Sequence, residues 1–242
     1  MLVTGAARGL ARGIALALAA DGHRVAINYR SESADAQRTL RDLQQIDVAA
    51  LGIRGDLSDA SEAQRVVSEA EAHYGRLDVL VAGVGPIIVK PFRRSTLEEY
   101  HAMLAGNLTS AVACAFAALP GMRERRYGRL IFFGMNGSHT TQPARGMSLY
   151  AAAKAGVVSF SRTLALEEAQ YGITSNVIEP GDIRDKEAPR DLAHARAANN
   201  PAGHAGSWED VADVVRFFIS PEAAFINGQV IGVNGGLVGP HE

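Results

Sequence analysis

Seven short apolar runs, most of them separated by helical patterns, constrain this chain more than any other feature. They occupy residues 2–3, 24–29, 49–54, 78–82, 129–133, 174–178 and 229–233. Runs of this length, bounded by polar and glycine-containing segments, read as strands buried on both faces. Between them, Ala11, Ile14, Ala15 and Leu18 recur at helical spacing, as do Ala63, Val66, Val67, Ala70 and Tyr74, and later Val211, Val214, Val215 and Phe218. Strand alternating with helix implies right-handed crossovers, so the strands should run parallel with helices on both faces.

No composition break or internal repeat divides the chain, and its 242 residues, 47% hydrophobic, suffice for one full core over residues 1–242. A formal net charge of −2 gives no reason to expect nucleic acid or an anionic membrane surface as partner. No apolar run reads as long enough to span a bilayer, and the chain enters its first strand at Leu2 with no signal peptide ahead of it. The single cysteine, Cys114, excludes an internal disulfide and suits a reducing cytoplasm; between Ala113, Ala115 and Phe116 it reads as a buried small hydrophobe. Residues 181–206 follow a strand, lack periodicity and contain Pro189, Pro201, Gly203 and Gly206. Ligands of open α/β sheets bind at the carboxyl ends of the strands, so this stretch is expected to be a substrate-side loop, a plain surface excursion being the alternative.

Thr4-Gly5-Ala6-Ala7-Arg8-Gly9-Leu10-Ala11 lies between the first strand and the first helix. Gly5 permits a tight turn, and Gly9 lets backbone N–H groups approach a pyrophosphate at the helix N-terminus. The turn makes the expected fold a Rossmann-type doubly wound sheet of about seven parallel strands. The second strand ends in Asn28-Tyr29-Arg30-Ser31, with no acid before Glu32. An NAD site usually carries an acid there for the ribose hydroxyls, whereas a 2′-phosphate is attracted by arginine. Arg30 and Arg8 therefore favour NADP(H) over NAD(H), unless both are merely solvated. Asp56 is placed to accept from an adenine amino group or to cap the helix that follows Leu57.

Tyr150 and Lys154 stand one helical turn apart and share a face. With Lys90, Lys154 and Lys186 the only lysines among six tyrosines, a chance Tyr-x-x-x-Lys is expected about 0.07 times per chain. Reducing a ketone demands a proton for the developing alkoxide. A free tyrosine, with a pKa of about 10, needs a neighbouring ammonium to serve near neutrality.

With these residues in hand, the chain resembles the short-chain dehydrogenase/reductase family along nearly its whole length, most closely the 3-oxoacyl-[acyl-carrier-protein] reductase-like branch. The matches are Thr4-Gly5-x-x-x-Gly9, Asp56, Asn107, Tyr150-x-x-x-Lys154, Pro180-Gly181 and the closing Gly228-Gln229…Asn234-Gly235-Gly236. The resemblance implies Tyr150 as general acid, Lys154 on the nicotinamide ribose, and Asn107 anchoring a water that links Lys154 to solvent. It implies a cofactor set of Gly5, Arg8, Gly9, Leu10, Arg30, Asp56, Leu57, Gly83, Gly85, Tyr150, Lys154, Pro180, Gly181 and Ile183, with no metal. Homotetramers or homodimers are usual in the family.

Three departures stand out. Ala11 replaces the third glycine of the fingerprint, with Gly13 as a candidate relief for the crowding. The family's Asn-Asn-Ala-Gly is Ala82-Gly83-Val84-Gly85, which removes asparagines that brace the sheet. The catalytic serine is displaced within residues 134–141, where Ser138 is the nearest hydroxyl and Asn136 the alternative donor. The expected activity is an NADPH-dependent carbonyl reductase that transfers hydride to a ketone, a 3-oxoacyl thioester being the candidate substrate. An alcohol or sugar dehydrogenase, and a non-catalytic NADP-binding oligomeric or sensor protein, are the rivals.

Overall fold

The structure, a computed structural model, describes residues 1–237. A seven-stranded sheet organises them: β1 (Leu2–Val3), β2 (Ala26–Tyr29), β3 (Leu51–Arg54), β4 (Val79–Ala82), β5 (Gly128–Phe133), β6 (Ile173–Pro180) and β7 (Val230–Val233). All pairings are parallel, in the order β3-β2-β1-β4-β5-β6-β7. The expected Rossmann-type architecture is what forms. The order reverses between β1 and β4, which opens a crevice at the carboxyl ends of those strands. The expected strand runs all recur, with β6 running past its expected end because Glu179 and Pro180 pair with Gly232 and Val233 of β7. An acid and a proline are poor strand formers, so apolar pattern alone stops two residues early.

Helices α1 (Gly9–Ala20), α2 (Ala34–Ile46), α3 (Ala60–Tyr74), α4 (Leu97–Leu104), α5 (Ser110–Arg125), α6 (Ser148–Glu168), α7 (Arg190–His194) and α8 (Trp208–Ile219) cover both faces. Alternate strand residues feed two cores. Leu2, Leu80, Leu130 and Phe132 pack with α3, α5 and α6, whereas Val3, Val79, Val81 and Ile131 pack with α1, α2 and α8. Gly13 does not relieve Ala11: a Cβ there would meet the Trp208 ring at 2.6 Å, so its smallness seats α8 on α1. Cys114 is buried as expected, and burial pushes its thiol up to about 12, where it is unreactive.

Residues 181–206 are more ordered than their composition suggests. They contain α7 and an antiparallel bridge between Ala197 and His204; His194 stacks on His204 at 4.2 Å and contacts Asp210. The reading that nothing reaches bilayer-spanning length also needs correcting. α4, a π-helical turn (Ala105–Thr109) and α5 form one apolar helical run, Leu97–Arg125, of 29 residues. It is long and apolar enough to cross a membrane, yet Cys114, Ala115, Ala118 and Met122 lie in the core, as in a buried helix of a globular fold.

Candidate active site

The crevice is an open cleft of about 1390 Å³ that runs from α2 to α6. Each residue of the expected cofactor set lines it. At the nucleotide end, Gly5 and Gly9 have φ of +66° and +67°, which side-chain-bearing residues rarely adopt. Arg8, at the helix N-cap position, makes no side-chain capping bond. With no N-cap side chain, the first turn of α1 offers amides beyond that of Gly9 to an anion, as a dinucleotide pyrophosphate requires. The Glu187 carboxylate accepts from Gly9 N–H at 3.3 Å and is gripped by Arg38 at 3.0 Å. An internal carboxylate thus occupies an amide expected for phosphate.

Arg30 is exposed at the cleft edge, and Arg8 is 3.9 Å from Asp35. The nearest acid to the end of β2, Glu32, accepts from the Tyr29 hydroxyl at 3.0 Å. Ser33 caps α2 by accepting from Ala36 N–H and lines the cleft beside Ser31. Asp56 accepts from the amide and hydroxyl of Ser58 in a tight turn; the cap of α3 is Asp59.

The sheet is braced from other positions than the missing asparagines. Asn28, buried on β2, donates to Ile53 O and Gly55 O and accepts from Gly5 N–H. Thr4 Oγ1 accepts from Gly83 N–H at 3.0 Å. A Cβ at residue 83 would lie 2.5 Å from Thr4 O and 2.9 Å from the Ala11 methyl. Gly83 is therefore what lets Ala11 stand where a glycine was expected.

At the catalytic end, Tyr150 and Lys154 lie in the first two turns of α6. Lys154 is 3% exposed, and its ammonium donates to Phe133 O at 2.8 Å, 5.7 Å from the Tyr150 ring centre. Burial brings the lysine down to about 8 and pushes the tyrosine up to about 12. The expected lowering of the tyrosine by Lys154 is thus absent in this structure, where desolvation dominates. The π-helical turn carries Asn107, whose Nδ2 donates to Met103 O and Pro86 O. Its buried Oδ1 has no protein partner among the described residues. A Cβ at Gly85 would stand 3.1 Å from that oxygen and 3.2 Å from Lys154 Nζ, so the two polar atoms converge over a glycine. Asn107 itself does not line the cleft.

Ser138 requires correction. Its hydroxyl donates to Glu179 Oε1 at 2.6 Å and accepts from Met135 N–H, and it is not part of the cleft wall. From this loop the wall receives Gly134, Met135 and Asn136. Asn136 accepts from Asn234 Nδ2 at 2.8 Å and donates to Leu237 O at 3.3 Å. The nearest hydroxyl to the expected serine position is one that an acid 41 positions further along the chain withdraws. Asn28 and Glu179 were signalled as polar residues inside apolar strands, and Glu187 by nothing local.

Residues 5–238 match the family model described as enoyl-(acyl carrier protein) reductase. The chain is 35% identical to the 3-oxoacyl-[acyl-carrier-protein] reductase of Escherichia coli (strain K12) and 33% identical to that of Staphylococcus aureus (strain N315), in each case over 98% of this chain and 96% of the relative. A solved structure described as a 3-oxoacyl-reductase from Bacillus thuringiensis superposes with a TM-score of 0.91 at 30% identity, covering 99% of this chain and 98% of that one. Sequence, topology and relatives thus agree that the chain belongs to the short-chain dehydrogenase/reductase family, on its 3-oxoacyl-[acyl-carrier-protein] reductase-like branch, and is an oxidoreductase acting between carbonyl and alcohol groups.

Proposed function

We propose that the protein is an NADPH-dependent carbonyl reductase of 3-oxoacyl thioesters, with Tyr150 as general acid. The observation that carries this reading is half-buried Tyr150 beside buried Lys154, with buried Asn107 behind them, at one end of a cleft whose other end is a helix start with no N-cap side-chain bond. The bound nicotinamide would supply the hydride. Tyr150 holds its proton at neutral pH and gives it to the alkoxide oxygen as charge develops there. Lys154 places a cation near the Tyr150 ring and would hold the ribose. Asn136, the polar residue that the 134–141 loop presents to the cleft, takes the carbonyl-polarising place expected of Ser138. Arg30 and Arg8, with Glu32 engaged by Tyr29, support the 2′-phosphate form of the cofactor. Gly5, Gly9, Leu10, Gly83 and Gly181 fit the backbone approach it needs, and Asp56, Leu57, Pro180 and Ile183 complete that wall. Pro86, Ile87 and Met147 give the substrate side an apolar lining that suits an acyl chain.

Exposed Leu97, Phe116, Leu166 and Phe225 support assembly as a homotetramer or homodimer, and the cytoplasm is the proposed location. NADPH oxidation with a panel of ketones and 3-oxoacyl thioesters tests the proposal. Turnover of the thioesters is expected, in preference to oxidation of alcohols or sugars with NADP⁺. Cofactor binding without turnover of any of them would leave the protein as an NADP-binding, non-catalytic member.

A further inference from the structure

We propose that Glu179 is a positioning residue of the reducing site: it clamps the 134–141 loop so that Ser138 turns into the protein and Asn136 faces the cleft. The inference rests on the reading of Asn136 given above. Glu179 lies at the carboxyl end of β6, 1% exposed. Its Oε1 accepts from Ser138 Oγ at 2.6 Å and from His139 N–H at 2.9 Å. Its Oε2 accepts from Gly137 N–H at 2.9 Å and contacts His139 Nδ1 at 2.8 Å. A buried carboxylate is tolerated only when its lone pairs are satisfied, and here every partner comes from one loop of three consecutive residues. The clamp is tied back to the cleft wall, since Met135 N–H donates to the same Ser138 oxygen.

Gly134 is the third part of the device. A Cβ there would meet Glu179 Cγ at 2.8 Å and Ser138 Oγ at 2.9 Å, so only glycine lets the carboxylate reach the loop. The loop enters the clamp through Gly137 at φ +82° and leaves through Thr141 at φ +53°, an uncommon conformation for a β-branched residue. Strain of this kind persists where surrounding contacts over-determine it. None of the four contacts reaches the cleft, which makes Glu179 a residue that acts through Asn136.

The test uses Glu179→Gln, whose amide N–H group would oppose at least one of the N–H donors now facing the carboxylate. Faster hydrogen exchange at the amides of Gly137 and His139 is expected, with NADPH affinity unchanged. kcat should fall about tenfold or more, as small misplacements in a site commonly do. In an Asn136→Ala background the same change should cost nothing further, because both lesions remove one function. Gly134→Ala should reproduce Glu179→Gln and serves as the second variant if the first fails to fold. Unchanged exchange at residues 137 and 139, or losses that simply add in the double variant, would overturn the proposal. Wild-type kcat in Asn136→Ala would overturn the reading of Asn136 instead, and Glu179 would then stand or fall on the exchange and kcat of Glu179→Gln.

Discussion

The two ends of the cleft are built from different materials. The nucleotide end relies on backbone: two glycines with positive φ, an uncapped helix start, and arginines at the exposed rim. The catalytic end relies on buried side chains: Lys154 and Asn107 are at most 3% exposed, and both hold backbone carbonyls of neighbouring segments. Changes at the first end should therefore be graded and salt-sensitive, because exposed charges are screened. Changes at the second should be steep, because each atom there works in a low dielectric with little water to replace it.

The largest expected effect is at the catalytic end. Tyr150→Phe should lower kcat by about 10²–10⁴, the usual contribution of positioned acid catalysis, with NADPH affinity nearly intact. Near-wild-type turnover would break the contrast at its strongest point.

Lys154→Met comes next and should separate activity from stability. The lysine titrates at 10.5 unperturbed and at about 8 when buried here. Between those values the unfolded chain binds a proton that the folded chain has lost, so this lysine makes stability rise with pH across that window. Below 8 the full penalty of burying the charge remains, about 3 kcal/mol at roughly 1.4 per unit. Losing the bond to Phe133 O offsets about 1 kcal/mol of it. At pH 7 the variant should be more stable by about 2 kcal/mol, with a raised Tm and a depressed kcat. A lowered Tm would show that the ammonium stabilises the fold as well as the chemistry. In the wild-type protein, NADPH affinity should weaken as pH rises through 8, where the cation is lost; titrations on both sides of that pH would show it.

At the nucleotide end, Arg30→Asp should swing preference from NADPH toward NADH by tenfold or more, since a charge-assisted hydrogen bond is worth about 1.5–3 kcal/mol. Equal losses for the two cofactors would remove Arg30 from phosphate recognition. The smallest effect sharpens the comparison from inside the catalytic end. Ser138→Ala should change kcat less than about threefold, because it removes the hydroxyl's bonds to Glu179 and Met135 N–H, while Gly137 and His139 still hold Glu179 and no group in the cleft is lost. A loss of about 10²–10³ would restore Ser138 as a polarising group.

The same difference in materials explains what could be read from sequence. Glycine spacing, the alternation of strand and helix along the chain and Tyr150-x-x-x-Lys154 are local patterns, and each recurs in the structure where the pattern puts it. The fold was legible because apolar periodicity reports directly which face is buried. The rewired loop was not, because Ser138 and Glu179 lie 41 positions apart and meet only once β5 and β6 pair. Ala11 looked like a defect for a similar reason. Its compensation, the missing Cβ of Gly83, lies on β4 and is visible only as a distance. Glu187 reaches Gly9 across 178 positions from a segment with no periodic pattern.

The π-helical turn that carries Asn107 has a consequence for chain length. Such a turn holds one residue more than an α-helical turn. A chain one residue shorter within Ala105–Thr109 could run as unbroken α-helix from Leu97 to the end of α5, with the faces before and after it in nearly their present phase. Such a deletion would leave the outer packing of both helices largely in place and withdraw the Asn107 amide from Pro86 O. The site is thus open to separation from the scaffold by a change of length as well as by a change of chemistry.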